Sequence, residues 1–134
     1  DVYKSANLDN GDAGAIVEQV VLRCAAHSYP RRHLSLNVPV ALTEALSNAI
    51  LRGNRDDAAR SVHVRADVTA IRLVLEVRDE GQGFDLDACT EDPTTPENML
   101  REDGRGLFLM RRLMDHVERF SDGGNVVRLI LNRA

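Results

Sequence analysis

The sequence predicts an α+β domain, a two-layer sandwich in which helices pack on one face of a mixed, mainly antiparallel sheet. Three observations lead to that class. Apolar residues recur at helical spacing in three stretches, they alternate at strand spacing in the segments between and after them, and the elements follow the order strand, helix, helix, two strands, long loop, helix, two strands. With 134 residues the chain has the size of one domain with one core. No internal repeat and no linker interrupts it, so residues 1–134 are read as a single unit.

A weak first strand is expected near Tyr3 to Leu8. Between Asp12 and Ser28, the residues Ile16, Val17, Val20, Val21, Cys24 and Ala25 share one helical face, and Tyr29-Pro30 supplies a stop. A second helix is expected from about Val38 to Arg52, with Asn37 as cap and Pro39 tolerated in the first turn. Its apolar face is Ala41, Leu42, Ala45, Leu46, Ala49 and Ile50, and Gly53-Asn54 ends it. Ser61 to Val68 and Ile71 to Arg78 read as a hairpin, with Ile71, Leu73, Leu75 and Val77 pointing inward. From Asp79 to Asp103 no period is sustained, and Gly81, Gly83, Pro93 and Pro96 stand among acidic and hydroxyl residues. A loop this long in a small domain is functional or disordered. Helical spacing resumes after Gly104-Arg105-Gly106, where Leu107, Met110, Leu113, Met114 and Val117 share a face. A short strand from Glu118 to Phe120, a turn at Asp122-Gly123-Gly124-Asn125 and a strand from Val126 to Leu131 follow.

Composition narrows the function classes. Hydrophobic residues at 43% and charged residues at 28% describe a chain that folds. A net charge of -4 offers no general attraction to nucleic acid or to an anionic membrane, so neither is expected as a direct partner. Arg31-Arg32 and Arg111-Arg112 are too short to change that and read as helix-surface charges. Cys24 and Cys89 form no CxxC pair and predict no disulfide framework. No apolar stretch has the length of a membrane span and no leader opens the chain, from which a reducing cytoplasm is expected. The missing initiator Met is compatible with an upstream segment.

Three motifs carry chemistry. Glu44, Asn48 and Arg52 are spaced by four, so they stack along one stripe of the second helix and can address one ligand. Read alone, they form a surface row that adds a few tenths of a kcal/mol to the helix. Asp79-Glu80-Gly81-Gln82-Gly83-Phe84 leaves a strand directly; its glycines permit close approach to a planar ligand, and the Asp79 carboxylate can accept from an exocyclic amine. The plain alternative is a glycine turn. Gly104-Arg105-Gly106-Leu107 opens a helix, whose free amides and dipole suit phosphate, although a flexible helix entry needs the same residues.

In order and approximate separation these signals resemble the three boxes of the superfamily of gyrase, Hsp90, histidine kinases and MutL. The likeness is greatest to anti-sigma-factor serine/threonine kinases, through LTEALSNAILRGN at Leu42 to Asn54 and GRGLFLMRRLM at Gly104 to Met114, and it runs from about Val17 to the final strand. The resemblance implies the Bergerat ATP-binding fold, with Glu44 as general base, Asn48 holding magnesium, and Asp79 accepting from the adenine amine. It also implies Gly81 and Gly83 beneath the nucleotide, Gly104, Arg105, Gly106 and Leu107 around the phosphates, and an ATP lid over about 85–103. Many relatives have a His after the first-box Asn where this chain has Arg52-Gly53, which leaves Arg52 to approach a phosphate or to face solvent. The last turn also lacks the Thr that many relatives carry before the final strand.

The function implied by the resemblance is a Mg-ATP-dependent protein serine/threonine kinase that phosphorylates an anti-anti-sigma protein of STAS type and sequesters a sigma factor, with a homodimer compatible with this reading. The alternative is a noncatalytic module whose partner surface changes when ATP binds. A sensor histidine kinase fits less well: His27, His33, His63 and His116 lie in no phosphoacceptor context and read as surface or packing residues.

Overall fold

Alternating burial along the central strands builds the fold from a sheet with one dry face. The computed structural model describes residues 2–5, 13–50, 61–80, 102–121 and 124–133. Five strands, β1 (Val2–Ser5), β2 (His63–Val68), β3 (Arg72–Arg78), β4 (His116–Ser121) and β5 (Asn125–Asn132), pair in the order β1-β2-β3-β5-β4. Every described pairing is antiparallel. Val64, Ala66 and Val68 of β2, Leu73, Leu75 and Val77 of β3, and Val127, Leu129 and Leu131 of β5 are buried on one face. Among the described residues three α-helices, α1 (Ala13–Ala26), α2 (Val38–Asn48) and α3 (Glu102–Leu113), supply the second layer, and α2 packs against both α1 and α3. This is the α+β two-layer arrangement expected from the element order.

The other face of the sheet is mixed, with Val74, Phe120, Val126 and Ile130 beside charged side chains. Lys4, Arg65, Glu76, Arg128 and Glu118 form one cross-strand row. Arg128 joins Glu76 at 3.3 Å to Glu118 at 3.0 Å, and its guanidinium lies 4.8 Å from the centre of the Phe120 ring. Being partly exposed, these pairs fix register more than they add stability.

Several boundaries differ from the sequence reading, each for a local reason. Ile71 is 70% exposed because it lies in the β2–β3 turn, where Thr69 Oγ1 accepts the N–H groups of Ile71 and Arg72. Val117 belongs to β4 rather than to the preceding helix. The helix stops at Leu113, and the Asp115 N–H donates to Ile130 O of β5, so strand pairing captures the chain first. β1 pairs over Val2–Ser5, and Ala6 to Leu8 lie outside the described residues, as does Cys89. Cys24 is a free thiol in the core, where burial pushes its pKa up to about 11.

Asn37 does not cap α2. Its backbone is helical, with φ -57° and ψ -52°, and α2 continues a wide π-helical turn over His33–Asn37 in which the Val38 N–H reaches His33 O. Pro39 explains the wide turn: it lacks an N–H, and its ring crowds the carbonyl one turn earlier, so local widening lets the helix pass without breaking. The Asn37 side chain is buried and donates through Nδ2 to Leu113 O at 2.6 Å, satisfying a carbonyl in the last turn of α3. At the far end of α1, the Tyr29 hydroxyl donates to Thr69 O at 2.8 Å and ties the helix layer to the β2–β3 turn.

Replacing Asn37 by Leu leaves the Leu113 carbonyl without its donor. A loss of about 1–3 kcal/mol in unfolding free energy is expected in urea titration, and a wild-type midpoint would show that the contact contributes nothing.

Candidate nucleotide site

The buried stripe of α2 orients the polar residues beside it. Ala41, Leu42, Ala45 and Leu46 are fully buried, while Glu44 and Asn48 are half-buried at the border of that stripe. Four residues apart, they stand one helical turn from each other on the same flank. Arg52, the third member of the row, lies outside the described residues, as do Gly81, Gly83 and the expected lid up to residue 101.

Asp79 stands one residue beyond β3 and is only 4% exposed. The β3–β5 ladder extends to it: the Asp79 N–H donates to Asn125 O at 2.9 Å, and the Asn125 N–H donates to Asp79 Oδ1 at 3.3 Å. Val77 and Val127 face the helices, and side chains alternate along a strand, so Asp79 and Asn125 also lie on the helix side of the sheet. The result is a carboxylate held at the end of two paired strands, under the helical layer. An ionised carboxylate only accepts hydrogen bonds, so a ligand group paired with it must donate.

Gly124 makes this arrangement sterically feasible. Its φ is 149°, and a Cβ built on it would come within 1.9 Å of Asp79 O. Neither Gly124 nor Asn125 was singled out as a site residue from sequence. The signal was present in the glycine-rich turn before the last strand, but its partner is a strand far away in the chain.

α3 begins at Glu102, two residues before the glycine pair. Gly104 therefore lies in the opening turn, where amides lack intrahelical acceptors, while Arg105 and Gly106 follow within the helix. The last two residues of the expected lid, 102 and 103, are thus helical. Leu107 is buried at 6% exposure and anchors this helix in the core. Since α2 packs on α3 and touches β3, the elements carrying Glu44, Asn48, Asp79 and Gly104 are adjacent.

Among the described residues no group of three His, Cys, Asp or Glu is arranged to hold a metal. A depression of about 500 Å³ lies elsewhere, on the open sheet face, and is lined by His63, Arg65, Arg78, Phe120 and Arg128. It is separated by the sheet from Asp79 and Asn125 and takes no part in this site.

Comparison with known proteins gives the family. The family of the histidine kinase-like ATPase domain matches residues 9–131, and the chain belongs to that family. Within it, the chain is similar to the serine-protein kinase RsbW of Bacillus velezensis, 37% identical over 98 residues that make up 69% of this chain and 61% of the relative. It is similar to RsbW of Bacillus subtilis at 36% identity with the same coverage, and to the anti-sigma F factor of Clostridium perfringens at 26% over 72% of this chain and 70% of the relative. The matched region spans about three-fifths of the length of these RsbW proteins.

Gly124→Ala forces a Cβ into the Asp79 carbonyl at a φ that alanine avoids. Destabilisation of roughly 2 kcal/mol or more is expected by chemical unfolding. An unaltered midpoint would mean that the β3–β5 end can relax away from this contact.

Proposed function

We propose that this chain is the Mg-ATP-binding domain of an anti-sigma factor with protein serine/threonine kinase activity toward an anti-anti-sigma protein. The observation that carries the reading is the buried carboxylate of Asp79 at a strand end, in a chain whose family match extends over residues 9–131. The names of the relatives, serine-protein kinase and anti-sigma F factor, support the activity and the sigma-factor partner. A STAS-type anti-anti-sigma partner, a homodimeric state and a cytoplasmic setting belong to the same proposal. Among the described residues, no helix is long and apolar enough to cross a membrane.

Each residue has a distinct task in this reading. Asp79 accepts from the adenine amine and so fixes the base. The free amides in the opening turn of α3, around Gly104, stabilise phosphate oxygens, with Arg105, Gly106 and Leu107 carrying that turn into the core. The family resemblance assigns Gly81 and Gly83 to the turn beneath the nucleotide and leaves Arg52 to approach a phosphate, all three outside the described residues. Asn48 offers its side-chain oxygen to magnesium, which when bound neutralises charge on the phosphates. Glu44 takes the proton from the acceptor hydroxyl as its oxygen bonds to the γ-phosphorus and the bond to the leaving ADP oxygen breaks. Catalysis then rests mostly on positioning and charge, as phosphoryl transfer requires.

Asp79→Asn keeps an oxygen for the Asn125 N–H but also introduces a donor facing the adenine amine. ATP affinity should fall by about tenfold to a hundredfold, equivalent to about 1–3 kcal/mol, while the fold is retained. Unchanged affinity in calorimetry would remove Asp79 from the base site.

Glu44→Gln should lower phosphoryl transfer by about a hundredfold to ten-thousandfold with ATP affinity retained. Single-turnover transfer from labelled ATP to an anti-anti-sigma protein, measured beside nucleotide affinity, tests this. Wild-type rates in the variant would exclude Glu44 as the base. ATP binding by the wild type without transfer to any such partner would favour the noncatalytic module.

A further inference from the structure

On the open face of the sheet, strand pairing sets basic residues against one another. Lys4 of β1 stands directly opposite Arg65 of β2, and His63 of β2 stands directly opposite Arg78 of β3. His63 and Arg65 are two apart on their strand, so the two pairs are neighbours on one face. Side chains directly opposite start from Cβ atoms about 4.5–5.5 Å apart, and like charges so placed are destabilising. A carboxylate is at hand, since Glu76 lies across the ladder from Arg65. It is bonded instead to Arg128, at 3.3 Å, and Arg128 also takes Glu118 at 3.0 Å. Lys4, His63, Arg65 and Arg78 make no ion pair among the described residues. The chain as a whole carries a net charge of -4, so this gathering of basic groups follows from register and not from composition.

The same four residues line the open-face depression of about 500 Å³, with Phe120 and Val126 as its apolar wall. That volume lies within the roughly 300–1,000 Å³ of small-molecule sites. The guanidinium forks of Arg65 and Arg78 match phosphate oxygens bidentately, the Lys4 ammonium adds a point charge, and the His63 ring adds an N–H donor. A ligand carrying two or more negative charges turns the repulsion between opposed cations into attraction, whereas a neutral or cationic one leaves it in place. We propose that this depression is a second ligand site, on the side of the sheet away from Asp79, that takes a compact phosphate-bearing anion. Its concavity and size favour a small molecule over an extended acidic chain segment. The proposal stands apart from the nucleotide reading, and neither depends on the other.

Inorganic pyrophosphate is the probe, titrated calorimetrically into the whole chain at constant ionic strength and without magnesium. The wild type should bind one pyrophosphate with a Kd of about 1 mM or tighter, and Arg65→Gln combined with Arg78→Gln should bind it about tenfold or more weakly. In chloride alone the double variant should unfold in urea no earlier than the wild type, because the opposed cations are gone. Added pyrophosphate should raise the wild-type midpoint and leave that of the variant unmoved. Lys4→Gln, on an edge strand, repeats the comparison if the double variant folds poorly, with an expected loss of about threefold or more in pyrophosphate affinity. No saturable binding by the wild type overturns the proposal, and so does equal affinity in the variants, which places the anion elsewhere. Hexaglutamate bound as tightly as pyrophosphate, with the same loss in the variants, would assign the depression to an acidic protein segment and overturn the small-anion site. A wild-type dimer in sedimentation equilibrium that these substitutions dissociate, with no pyrophosphate bound, would show a second copy covering the depression and overturn it equally.

Discussion

The pairing of β3 with β5 is the constraint on which the candidate site depends. Seven register pairs, from Arg72↔Asn132 to Arg78↔Val126, hold these two strands at the centre of the sheet. They bring Asp79, which ends one hairpin, opposite Asn125, which begins the last strand. Gly124 then lets the backbone close against Asp79 O where any Cβ would collide. The Asn125 N–H holds the Asp79 carboxylate at the end of this central ladder, so in the proposed reading little ordering remains to be done on binding.

The helix layer supplies the other half of the site through α2. Its stripe from Val38 to Ile50 is buried against the sheet, α1 and α3, and rotation of the helix about its axis would expose several of those side chains at once. Glu44 and Asn48 are therefore held on the flank by the buried side chains beside them. Asn37 extends the same logic to α3, whose last turn it ties to the base of α2 while the glycine pair lies at the other end. The wide turn before Pro39 belongs to this arrangement, since it lets one continuous helical stretch carry both the Asn37 contact and the Glu44 row.

The two faces of the sheet have opposite characters. The helix-facing side is apolar along β2, β3 and the Val127–Leu131 stretch of β5, with Arg119 of β4 beside Val127 and with Asp79 and Asn125 at the strand ends. The open side is crossed by a charged row in which Arg128 serves two carboxylates and lies near Phe120. A shift of one residue in the β3–β5 register would send Leu73, Leu75 and Val77 to the open side. The same alternation that builds the core thus keeps the site and the open-face depression on separate sides.

Most of the secondary structure was legible in the sequence because burial imposes its period directly. Ile16, Val20 and Cys24, the α2 stripe, and the alternation of Leu73, Leu75 and Val77 all report which side of an element is dry. The four-residue spacing of Glu44 and Asn48, and the position of Asp79 at a strand end, were legible for the same reason. Element ends were less so: Asn37 looks like a cap and Val117 continues a helical pattern, yet a contact with Leu113 and pairing with β5 decide both. What only the tertiary structure could decide is the company each residue keeps. Local sequence carries periodicity and turn chemistry, but it contains no record of which strand will be inserted beside which. The insertion of β5 between β3 and β4 joins Asp79 to a residue 46 positions away, and with it gives Asn125 a place beside the carboxylate.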